Sequence, residues 1–183
     1  MKKNRGITMV ALVITIVVLL IIAGISIGAG NNAIKNSKLE NLKTNMLLIE
    51  VKAKEQIENA KFRLGTSFDK ATKEEKTNRV NTAKSEFIGE EIVDGNIFKN
   101  NTKITTEKIQ EDNTKNNTYY YKLSTQDLID MGLKNVKSDE KNGYYIVKYN
   151  LQDSTIEIYN TEGFDDEGNV VYSLTDIKQV RLK

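Results

Sequence analysis

The chain has 183 residues, room for one modest domain and a helical extension. It contains neither cysteine nor histidine, which excludes a disulfide framework, a thiolate metal site and the commonest general base. The formal charge of +2 comes from the amino terminus: without Lys2, Lys3 and Arg5 there are 24 basic residues against 25 acidic ones. Such a body lacks the basic excess of a general nucleic-acid binder, so no nucleic-acid partner is expected.

A basic leader over residues 1–6 is followed by an apolar run with no charged residue from 7 to 34, its middle reading Val17-Val18-Leu19-Leu20-Ile21-Ile22. Residues 7–29, as a helix, would extend roughly 35 Å, enough to cross a bilayer core. The run predicts a transmembrane helix over 7–30, with the basic side in the cytoplasm and the remaining chain outside the cell. Three readings fit this segment. A cleaved signal peptide would use the small residues around Gly28-Ala29-Gly30, but its apolar region is usually about 7–15 residues. A plain signal anchor fits the hydropathy equally well.

The third reading rests on the junction. The stretch Lys-Lys-Asn-Arg-Gly-Ile-Thr-Met-Val-Ala-Leu, residues 2–12, resembles the amino terminus of type IV pilins and the pseudopilins of secretion and competence systems. The resemblance covers about the first thirty residues. It implies that a prepilin peptidase cuts between Gly6 and Ile7 and methylates the new terminus at Ile7, with Lys2, Lys3 and Arg5 as leader charges. Most of these families have Glu five positions after the cut, where it neutralises the terminal amine of a neighbouring subunit; here Ala11 occupies that position. Some pseudopilins at filament tips, and pilin-like sequences of Gram-positive clostridia, share this departure.

Beyond the run the helix is expected to continue over 31–64. Leu39, Leu42, Met46, Ile49, Ala53, Gln56, Ala60 and Arg63 recur at three- and four-residue steps, adjoined by Ile57 and Leu64, and charged residues fill much of the rest. The seam predicts packing against the protein's own globular part. Gly24, Gly28 and Gly30 allow either close helix contact or local loosening.

Gly65-Thr66-Ser67 marks a stop. Phe68, Ala71, Glu75, Arg79, Ala83 and Phe87 predict a second, polar helix ending near Gly89. Residues 94–117, rich in Asn, Thr and Lys, read as a long loop. Ser124 or Thr125 caps a short helix over 126–131 closed by Gly132. Strands are predicted over 144–149, 155–159 and 170–174, with a turn over 150–154 and a loop over 163–169. The fold class is α+β, a long amino-terminal helix packed on a small carboxy-terminal antiparallel sheet, with a head over 65–183. The order of the capped helix and hairpin also looks like the heads of clostridial pilin-like proteins.

Asp165, Asp166 and Glu167 cluster in one loop, where they fit either a solvated acidic turn or a calcium site of oxygen ligands. No other cofactor is expected. The eight tyrosines are expected to pack the sheet. No nucleophile stands in a spaced pattern with a base, so an enzyme is not expected. Taken with the resemblance, the expected function is a structural subunit of a type IV pilus-like or type II secretion-like filament. Its expected partners are the prepilin peptidase, the assembly machinery, other pilin-like subunits and the membrane. The alternative is a non-assembling single-pass membrane-anchored extracellular binding protein.

Overall fold

A computed structural model describes the backbone of residues 9–97 and 104–181, with side chains at 15–19, 33–97 and 104–181. The chain divides into two compact units, Met1–Glu40 and Asn41–Lys183. Helix α1 covers Met9–Leu64. In its amino-terminal unit the described apolar side chains Ile16, Val17, Val18 and Leu19 are 46–60% exposed.

Among the described residues no helix is long and apolar enough to cross a membrane. This corrects the expected transmembrane helix over 7–30 and the single-pass cell-membrane placement that rested on it. Through the described part of α1 from Ala33 onward, charges such as Lys38, Glu40, Lys43, Glu50, Lys54 and Glu58 recur every few residues, and no long apolar run survives them. Most side chains of the run 7–29 lie outside the described set.

The unit Asn41–Lys183 is built on the last turns of α1 and a five-stranded antiparallel sheet, ordered β1 (Glu90–Ile92), β2 (Thr118–Leu123), β3 (Tyr145–Asn150), β4 (Thr155–Asp166) and β5 (Asn169–Ser173). Register assigns the two faces. Tyr119, Tyr121 and Leu123 stand opposite Tyr149, Val147 and Tyr145, and these in turn meet Ile156, Ile158 and Asn160. Helix α1 covers this face: Met46, Ile49, Ala53, Ile57 and Ala60 are at most 1% exposed, and Tyr149 donates its hydroxyl hydrogen to Gln56 Oε1. Phe87 stacks on Tyr149 at 3.9 Å between ring centroids and meets Tyr121 edge-on at 5.3 Å. From Met46 onward the predicted seam is therefore buried, except that Arg63 is exposed and Leu64 takes its place, following the 3.6-residue period more closely; Leu42 is half-buried.

The opposite face carries a second cluster of Tyr120 and Ile146 with Ile104 and Ile109. Ile109 belongs to α3 (Thr106–Lys115), where a loop was expected; Thr105 caps it by accepting from the Lys108 amide at 3.2 Å. The carboxylate of Asp112, on the buried side of α3, accepts from the Tyr120 hydroxyl at 2.7 Å and from Asn116 at 3.1 Å. It also pairs with Lys108 at 3.0 Å and Lys148 at 3.1 Å. Burial alone would raise its pKa, but these donors together hold the carboxyl well below the usual carboxylate range. The sheet thus lies between two helical layers.

Other elements depart from expectation in length. The second helix is split into a 3-10 turn, Phe68–Lys70, and α2, Lys73–Lys84, because Thr72 forms a capping box with Glu75 that starts a new helix. Helix α4 (Thr125–Asp130) is capped by Ser124. It ends on Gly132 at φ +83°, with Leu133 N donating to Leu128 O and Gly132 N to Ile129 O, the paired bonds of a Schellman motif. Strand β4 runs through most of the expected loop over 163–169. Its irregularity falls between Tyr159 and Phe164, where Asn160 Oδ1 accepts from the amides of Glu162 and Gly163 at 3.1 and 3.0 Å. Gly163 sits at φ +66°, and a Cβ there would lie 2.6 Å from Val171 O, so the bulge requires glycine. A short α5 (Leu174–Ile177) follows β5.

Candidate functional site

A cleft of about 790 Å³ lies in the unit Asn41–Lys183 between the end of α1, α2 and one end of the sheet. Local chemistry builds it. Helix α1 must stop after Leu64, whose free carbonyl accepts from Arg79 Nη1 at 3.2 Å, and this bond draws α2 back across the helix end. Across the gap, Asn117 at φ +47° turns the chain into β2, and its carbonyl accepts from Leu151 N at 3.0 Å, joining the start of β2 to the β3–β4 turn.

The lining has two layers. Leu64, Phe68, Val80 and Leu151 supply apolar surface, while Lys61, Lys73, Lys76 and Lys84 supply ammonium groups against one carboxylate, Asp69. Lys84 is engaged, 2.6 Å from Glu91 and 4.5 Å from the centre of the Tyr119 ring. Lys76 lies 5.8 Å from the centre of the Phe68 ring, and among the described residues neither it, Lys61 nor Lys73 has an ion-pair partner. Asn81, Asn117 and Gln152 add amide donors and acceptors. Over Asn41–Lys183 the sequence carries 22 basic and 24 acidic residues, so the cleft's excess of positive charge reverses the sign of the unit around it. Lysines above an apolar floor suit an anionic ligand with an apolar part; they hold no spaced acid and base.

The acidic trio sits elsewhere. Asp166 and Asn169 pair across the turn joining β4 to β5, with Glu167 at φ +52° and Gly168 at φ +92° between them. Asp165 Oδ1 accepts from Gly168 N at 2.7 Å, so part of this carboxylate is spent on the turn itself. Among the described residues no group of three His, Cys, Asp or Glu is disposed to hold a metal ion.

The expected processing residues Gly6 and Ile7 and the leader charges Lys2, Lys3 and Arg5 lie outside the described residues, as does the side chain of Ala11. Gly24, Gly28 and Gly30 fall within α1, whose backbone is helical through all three. The basic cleft escapes sequence reasoning because its lysines come from two helices and its floor from four separate segments; only the clustering of Lys61, Lys70, Lys73 and Lys76 around Phe68 signals it. Comparison with known protein families, with curated proteins and with solved structures gives no match.

Proposed function

We propose that the chain is a structural subunit that assembles with copies of itself or similar chains through α1, as a pilin-like protein processed at Gly6. The observation that carries this reading is the use made of α1. It is 56 residues long, and only positions 41–64 belong to the unit that contains the sheet. Ahead of that unit, Ile16, Val17, Val18 and Leu19 are 46–60% exposed. A run of large apolar side chains left open on a helix is a surface that association covers favourably, and similar helices side by side would do so. The resemblance of residues 2–12 to a prepilin junction supplies the processing step.

Mass spectrometry of the mature chain from its native host tests the reading. The expected mass begins at Ile7 and carries one added methyl group. An intact Met1, or a terminus near Ala29, overturns it. Gly6→Val should block the cut and leave the chain outside any filament, whereas a protein that does not assemble would be indifferent to that change.

A further inference from the structure

The β3–β4 turn and the β4–β5 turn lie at opposite ends of β4, because β4 runs unbroken in sequence from Thr155 to Asp166 between them. The basic cleft includes the first of these turns, through Leu151 and Gln152. The acidic turn Asp165-Asp166-Glu167 is the second. At about 3.3 Å per strand residue, and allowing for the bulge, the two are separated by roughly 30 Å along the sheet. A subunit therefore cannot place its own acidic turn in its own cleft.

We propose that the cleft of one copy receives the β4–β5 turn of another, a head-to-tail contact between copies of this chain. The turn and the cleft are complementary in two respects. Asp166 and Glu167 provide the carboxylates that Lys61, Lys73 and Lys76 lack as partners among the described residues of the subunit. Val170, 39% exposed beside the acidic pair, provides an apolar side chain for the floor of Leu64, Phe68 and Val80. The turn is also shaped before it binds: its two central residues are already in the left-handed conformation and Asp165 is bonded to the Gly168 amide, so little ordering remains to be done. Because the two surfaces differ and lie at opposite ends, the contact is heterologous, the kind that propagates into an open filament wherever its rotation does not close a ring. The inference rests on the assembly reading and adds a contact made by the sheet-bearing unit to the one made by α1.

Zero-length carbodiimide cross-linking of the full chain, in an equal mixture of light- and heavy-isotope copies, tests it. Peptides joining Lys73 or Lys76 to Asp166 or Glu167 are expected, with mixed isotope labels that prove they link two copies. Two charge-reversed chains, K73E/K76E and D166K/E167K, should each lose at least about tenfold in these cross-links and recover them when mixed. The neutral variant K73Q/K76Q should lose them when alone and, mixed with D166K/E167K, regain only links from the unaltered Lys73 or Lys76 of that chain; circular dichroism should show all variants folded, since no altered side chain is buried. Raising the salt should weaken the contact.

Assembly that proceeds with no tip-to-cleft cross-link, or in which mixing the reversed chains restores nothing, overturns this contact and leaves the α1 reading standing. Absence of any assembly of a chain processed at Gly6 overturns both. Cleft lysines that cross-link only to an added acidic peptide or polysaccharide, never to a second copy, also overturn it.

Discussion

Among the described carboxylates, Asp112 combines deep burial with four polar side-chain partners. Its carboxylate is 3% exposed and is met by Tyr120, Asn116, Lys108 and Lys148. Its pKa is lower in the folded chain than in the unfolded one, so the unfolded state takes up the proton first. The stabilisation is then complete above pH 4, near the ordinary value, and is lost as pH falls below it toward the folded value. Asp112→Asn should cost about 3 kcal/mol at neutral pH, since the two lysines and the buried Tyr120 hydroxyl lose their charged acceptor. Urea unfolding from pH 7 to pH 3 should show the difference between wild type and variant shrinking with acid; a constant difference would refute the electrostatic account. Nothing in the sequence singles this residue out. Glu111 and Asp112 look alike there, and only the register that sets Tyr120 opposite Lys148 brings both partners to one of them.

Capping is legible at the scale of the element, because a few adjacent residues contain the whole signal. The Ser124–Asp127 box starts α4: Ser124 Oγ accepts from Asp127 N at 3.2 Å, and Asp127 Oδ2 accepts from Ser124 N at 2.7 Å. Ser124→Ala should lower stability by about 1 kcal/mol, measured as a shift in the urea midpoint at unchanged slope. The seam of α1 was equally legible, since its apolar period runs for many turns. Helix α3 was not: Ile109 is its one fully buried apolar residue, and its other buried position is the charged Asp112. Strand β2, Thr-Tyr-Tyr-Tyr-Lys-Leu, went unrecognised for the opposite reason. Covered by helices on both faces, it is buried at five of six positions and shows no alternation to read. The cleft depends on the start of β2, one of these missed elements, and on the return of α2 across the end of α1, so it could not be assembled from the sequence.

For the whole molecule, the expectation of a sheet covered by one helix gives way to a sheet enclosed between α1 and α3. The most protected backbone should lie in β2 and β3, each paired on both sides and buried on both faces. Amide hydrogen exchange should release β5 and the β4–β5 turn first and β2 and β3 last. Equal protection of β3 and β5 would contradict the layered arrangement.

The bulge in β4 has a consequence for handedness of presentation. From Tyr159 to Phe164 the chain advances five positions while its partner retreats two, from Ser173 to Val171, so an odd number of residues is looped out. Side chains alternate by twos along a strand, and an odd insertion reverses which side each later residue faces. Phe164, 7% exposed, therefore shares the face of Tyr159 despite the odd spacing between them, and the carboxylates that follow inherit the reversal. The side chain of Asn160 therefore decides the parity of everything beyond it. Chains that regularised this one strand would keep their composition, charge and fold, yet offer the acidic turn to their neighbours inside out.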